Sequence, residues 1–235
     1  MKLTDSIKKA FRRIRSATKY VALKASGVKP LNVSRGNTKL VSNDKVLFLV
    51  WNLPARMTCP GKTHHCSLLC YAIKAEKLYK DCLPSRVKNL KESLNPDFVD
   101  RAVYTILSAI KNDKKHRKIV VRIHESGDFY NKAYAEKRLA VARELTGENV
   151  TFICYTKSFA FFDGVKLPKN FKLRASVWDD TPEKDLEIIK RNGWNIYTAV
   201  ESFKTGDKFT RCRCSDCGTC QKCWRNYKDI RCEIH

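Results

Sequence analysis

The sequence predicts an α/β fold, a partial barrel or open parallel sheet that ends in a cysteine-rich, metal-binding tail. Three observations predict it. Short apolar runs alternate with segments of helical periodicity, residues of unusual chemistry follow directly after those runs, and beyond Phe203 the periodicity gives way to closely spaced cysteines. The chain divides accordingly into a basic N-terminal extension at 1–30, an α/β core at 31–205 and a tail at 206–235 packed on that core. A length of 235 residues suits one core of about 150 to 200 residues with appendages.

The first core strand is Lys45 to Trp51 (KVLFLVW), a nearly continuous apolar run of the kind buried on both faces. Helical spacing follows from Ser67 to Tyr79 and again from Asn95 to Asp113, where Pro96 suits a first turn and Phe98, Val99, Val103, Ile106 and Ile110 share a face. Lys118 to Ile123 (KIVVRI) is a strand, Tyr134 to Thr146 a helix, Val150 to Tyr155 (VTFICY) a strand and Phe171 to Trp178 another. Pro182 to Arg191 is helical, and Gly193 to Val200 is the last core strand. Strands separated by helical crossovers pair in parallel. No internal repeat or low-complexity tract interrupts this order.

Forty-seven Lys and Arg stand against 24 Asp and Glu, a formal net charge of +23. Such an excess attracts polyanions in a salt-dependent way, and nucleic acid is the partner class it points to. Hydrophobic residues are 43% of the chain, with no apolar run of about 18 residues that would span a bilayer, so a soluble protein is expected. The basic stretch Ile7 to Ser26 lacks the apolar centre of a secretory signal. It suits a surface helix, or one lying along phosphates or an anionic membrane. Nothing in the sequence speaks to oligomeric state.

Eleven cysteines mean disulfides or metal, and their grouping favours metal in a reducing cytoplasm. Cys59, Cys66 and Cys70 form a C-x6-C-x3-C loop shaped by Pro60 and Gly61, directly after the first strand. Three soft ligands suit iron–sulfur chemistry or zinc and leave a coordination position open; His64 and His65 are alternative nitrogen donors. Cys214, Cys217, Cys220 and Cys223 form three successive C-x2-C steps. A loop of that kind winds around a cluster, whereas structural zinc usually takes two knuckles from separated segments. Cys212, Cys232 and His235 are spare ligands, and Cys82 and Cys154 read as structural.

In parallel sheets functional groups gather at the carboxyl ends of strands. Here those ends carry the first cysteine loop, then His124-Glu125-Ser126-Gly127-Asp128, then Thr156-Lys157-Ser158, then Asp179 and Asp180, then Glu201 and Ser202. All five are expected to line one mouth.

The strings SRGNTKL (Ser34 to Leu40), TCPGKTHHCSLLCYA (Thr58 to Ala72), HESGDF (His124 to Phe129), YTKS (Tyr155 to Ser158) and CSDCGTC (Cys214 to Cys220) resemble the phage gene product 88 family from about Val33 to His235. The three-cysteine loop and the strand ends are also similar to phage proteins related to radical S-adenosylmethionine enzymes. That likeness implies a partial TIM-type (β/α) barrel in the host-cell cytoplasm. It also implies that Cys59, Cys66 and Cys70 hold a four-iron four-sulfur (4Fe-4S) cluster able to bind S-adenosylmethionine, although the common radical motif is C-x3-C-x2-C. Two functions of different class follow. One is a redox or radical iron–sulfur enzyme acting on nucleic acid or another anionic substrate, with His124, Glu125, Asp128 and Lys157 lining its pocket. The other is a non-catalytic nucleic-acid-binding protein with structural zinc or iron–sulfur sites.

Overall fold

The computed structural model describes residues 5–200, 202–203, 209–212, 216–225 and 228–233. It is a mixed α/β protein whose seven parallel strands form one curled sheet, a half-barrel. The strands are β1 (Val46–Trp51), β2 (Lys118–Ile123), β3 (Val150–Thr156), β4 (Phe171–Val177), β5 (Ile196–Val200), β6 (Thr210–Cys212) and β7 (Ile230–Glu233), in the order β1-β2-β3-β4-β5-β7-β6. The helices are α1 (Asp5–Ala25), α2 (His64–Leu68), α3 (Tyr71–Leu78), α4 (Cys82–Leu94), α5 (Phe98–Asn112), α6 (Lys132–Glu144), α7 (Glu183–Asn192) and α8 (Cys217–Cys220). No helix among the described residues is long and apolar enough to cross a membrane.

Because side chains alternate across a strand, each strand feeds two cores. Leu47, Leu49, Trp51, Ile119, Val121, Ile123, Phe152, Cys154 and Phe171 face outward, against the buried stripe Phe98, Ala102, Val103, Ile106 of α5 and Ala135, Leu139, Ala142 of α6. Val46, Phe48, Val50, Val120 and Ile153 face the concave side. That side is covered by the tail: Trp224 meets Phe48 edge-on at 5.7 Å, and Cys217 and Cys223 pack beside it.

Two features lie outside the sequence expectation. The helical pattern from Ser67 to Tyr79 is broken, because Cys70 leaves helical conformation (φ −68°, ψ 97°) and bounds α3. Helix α4 turns its apolar residues Leu83 and Leu94 outward and leaves Leu90 half-buried against the core; its buried residues are Arg86, Asn89 and Ser93. Their contacts are polar. Arg86 pairs with Glu76 at 2.8 Å and donates to the Ala72 carbonyl, while Asn89 donates to the Asn52 carbonyl at 2.9 Å. Glu76 also accepts from the Ala55 N–H at 2.8 Å, so α3 and α4 brace the chain that leaves β1.

The tail supplies more than a loop, since β6 and β7 extend the parallel sheet. At three and four residues each they are too short to show a period. Cys214 and His235, two of the expected or spare metal ligands, and Glu201 lie outside the described residues.

Candidate functional site at the carboxyl ends of the strands

The chain that leaves β1, from Asn52 to Cys70, meets the ends of the next three strands. At β2, Asn52 Oδ1 accepts from the N–H groups of Glu125 and Ser126 at 2.7 and 3.2 Å. The Leu53 N–H returns a bond to the Ser126 carbonyl, and the Asp128 N–H donates to the Thr58 carbonyl at 3.2 Å. Gly127, at φ +78°, is required there: a Cβ would lie 2.6 Å from that of Leu53. At β3, Gly61 lies so close to the chain that its Cβ would stand 2.1 Å from the Lys157 carbonyl oxygen. At β4, Asp180 accepts from the His65 N–H at 2.8 Å and Asp179 meets His65 Nδ1 at 2.6 Å. Thr63 caps α2 by accepting from the Cys66 N–H.

Cys59, Cys66 and Cys70 are half-buried, and Cys59 is within electrostatic reach of Cys66, Cys70 and Asp128. Burial, with Asp128 adding to it, pushes the Cys59 thiol up to about 12. As a free side chain it stays protonated at neutral pH, so a metal would have to displace the proton to make it a ligand. Asp128 is itself buried and raised by desolvation, partly offset by bonds from Thr156 Oγ1 at 2.7 Å and the N–H groups of Lys157 and Phe129 at 2.8 Å.

The four residues expected to line the pocket take different positions. Glu125 is half-buried beside Asn37 and Asn52. Asp128 lies beneath Cys59. Lys157 Nζ donates to Ser176 at 2.7 Å and sits 5.9 Å from the Trp178 ring. His124 is turned away from the mouth, 3% exposed, with Nε2 2.8 Å from Tyr134 OH and its ring against Phe129. Burial, with Arg138 and Arg122 nearby, holds it well below the usual histidine range. Arg138 Nε can only donate, and it does so to Tyr134 OH at 2.8 Å. Tyr134 OH thus meets both Arg138 and His124 Nε2, and His124 Nδ1 has no hydrogen-bond partner among the described residues.

Two donor groups at the mouth suit metals of different kinds. The thiols are soft ligands. His65, Asp179 and Asp180 offer a harder set, with ligand atoms within 4.8 Å of one another. His65 is raised by its bond to Asp179. Burial works to raise Asp180, but bonds from the His65 N–H and Thr63 outweigh it and hold it below the usual carboxylate range.

Of the second cysteine group, Cys217 and Cys220 bound α8, Cys223 lies in the following 3-10 turn and Cys220 is exposed. Sequence reasoning passed over Asn52, Arg122 and Arg174. The last two had a signal: a cation at alternate positions of an otherwise apolar strand (KIVVRI, FKLRASV) points inward with the concave-face residues. Arg122 is centred 3.7 Å over the Tyr155 ring.

Fold and site together define an α/β half-barrel protein whose first cysteine loop is clasped by the carboxyl ends of its strands. The chain belongs to the gene product 88 family, whose model matches residues 31–226. It is 31% identical over 158 residues to the Gene 88 protein of Mycobacterium phage D29, covering 63% of each chain. The chain thus spans somewhat less than two thirds of that relative's length. The comparison supports a bacteriophage origin. No solved structure matches it.

Proposed function

We propose that this protein is an iron–sulfur protein whose Cys59, Cys66 and Cys70 hold a 4Fe-4S cluster at the mouth of the half-barrel, serving a redox or radical reaction on nucleic acid or another anionic substrate. The observation that carries the reading is the engagement of one three-cysteine loop and the chain leading into it with the ends of β2, β3 and β4. Interlocked backbone holds such a loop in place while leaving its thiols at the surface where substrates enter parallel sheets. The donor set suits the group in kind: three soft ligands on one loop would leave a fourth coordination position open to an exogenous donor such as S-adenosylmethionine. When bound, the cluster supplies one-electron chemistry.

The chain's own residues have separate tasks. Asn52 and Gly127 fix the strand ends against the loop, and Asp128 anchors the start of the β3 loop through the Lys157 and Thr156 bonds. Lys157 presents a cation beside Trp178, suited to an anionic substrate carrying a flat ring. His124 belongs to the core and orients Tyr134 rather than meeting substrate. The +23 charge favours a second reading, a nucleic-acid-binding protein in which the metal is structural.

Anaerobically purified Cys66→Ala and Cys70→Ala variants are expected to lose the metal of this site, and Cys82→Ala to keep it. Equal iron in all three refutes the assignment. Binding and reductive cleavage of S-adenosylmethionine supports the enzyme; a fully protein-ligated cluster that binds none supports the nucleic-acid binder.

A further inference from the structure

The concave face of the sheet holds a second convergence of cysteines, and its membership differs from the run of C-x2-C steps. Cys212 on β6 and Cys232 on β7 are register neighbours in parallel strands, so both side chains project from one face. Registers carried across the sheet through Tyr197 and Ile230 identify that face as the one bearing Tyr155, Arg174 and Ser176. Residues 216–225 cross the same face as a strap. The Cys217 N–H is bound to the Lys39 carbonyl at 2.9 Å, and a Cβ on Gly218 would lie 2.7 Å from the Val41 carbonyl oxygen. Arg174, 2% exposed, donates to the carbonyls of Cys223, Lys228 and Lys222 at 2.9, 3.2 and 3.4 Å. The strap thereby sets Cys217 and Cys223 over the sheet, within electrostatic reach of Cys212. Cys220 points out to solvent.

We infer that Cys212, Cys217, Cys223 and Cys232 form a second, enclosed thiolate centre on the concave face and that it takes a polynuclear iron–sulfur cluster. A further observation supports the occupant. Half-buried Arg122, stacked on Tyr155, and buried Arg174 on β4 place two cations beside the thiols. A cluster ligated by four thiolates is anionic overall, and such cations offset its charge in a low-dielectric interior. This centre stands independently of the Cys59 site.

The test starts from an anaerobically prepared Cys59→Ser/Cys66→Ser/Cys70→Ser variant, measured for iron, zinc and acid-labile sulfide. It is expected to keep about half the wild-type iron and sulfide. Adding Cys212→Ser and Cys232→Ser is expected to remove most of the remainder, while adding Cys220→Ser leaves it. Retention after Cys212 and Cys232 are replaced, zinc in place of iron and sulfide, or no metal in the starting variant each overturns the inference. If the triple variant keeps all the wild-type iron, the Cys59 reading fails and this one stands. Native alkylation of the wild-type protein, mapped by mass spectrometry, guards against misfolded variants. Cys212, Cys217, Cys223 and Cys232 are expected to be protected together and to become labelled together on chelation, with Cys220 labelled throughout; independent labelling of the four overturns the shared site.

Discussion

Replacing Gly61 by alanine perturbs the cysteine loop by a single methyl group. The new Cβ would stand 2.1 Å from the Lys157 carbonyl oxygen, 2.6 Å from its carbon and 3.2 Å from the Ser158 nitrogen. Ordinary contact begins at 3.4 Å, so the two backbones must part by about 1.3 Å. All three obstacles are backbone atoms, and no side chain can rotate out of the way. Overpacking of this kind costs about 1 to 3 kcal/mol, which in a chain of this size lowers the melting temperature by roughly 2 to 12 °C. The displaced segment lies between Cys59 and Cys66, so the placing of one thiol relative to the other is disturbed along with stability. The assay is thermal unfolding together with iron content of the anaerobic protein, where Gly61→Ala is expected to melt lower and hold a fraction of the wild-type iron. A variant with unchanged melting temperature and full metal refutes the claim that the β3 end positions the loop.

Other predictions follow from the interior. Arg174→Met removes the donor shared by two strap carbonyls and that of Lys228; with hydrogen bonds to charged groups contributing about 1.5 to 3 kcal/mol each, a loss of about 3 kcal/mol or more is expected in urea denaturation, and a loss below about 1 kcal/mol contradicts the anchoring role. His124 is held well below its ordinary value by burial, so the unfolded chain takes up its proton first as pH falls. Stability is therefore full above about pH 6.5 and declines below it by up to about 1.4 kcal/mol per pH unit. His124→Phe is expected to flatten this decline despite a lower stability at pH 7, where Tyr134 loses its hydrogen-bond partner; an acid limb as steep as the wild type's argues against a buried neutral ring. Binding to duplex DNA, if six or more phosphates are neutralised, is expected to weaken about 10³-fold between roughly 50 and 200 mM salt, and salt-independent binding removes the electrostatic argument.

The parallel order of the core strands was legible because β1 to β4 announce themselves as apolar runs, and the site's location followed from what comes after each run. The interlocking was not legible: it depends on Asn52, Gly61 and Gly127, whose roles exist only where three loops meet. Helix α4 was not legible because its fully buried residues are polar, bonded to Glu76, Ala72 and Asn52, while only Leu90 among its apolar residues packs on the core. His124 sits in a dense polar string, yet its place as the first residue beyond β2 turns it toward α6 and Tyr134. In the tail, C-x2-C spacing drew attention to neighbours in sequence, while the parallel pairing of β6 with β7 brings Cys212 beside Cys232, twenty positions away.

The most direct test of the account is metal and sulfide analysis, with a visible spectrum, of protein purified without oxygen. The account predicts a brown protein containing iron and acid-labile sulfide. A colourless protein carrying zinc, prepared with the same exclusion of oxygen, contradicts it and moves the function to a nucleic-acid binder with structural metal.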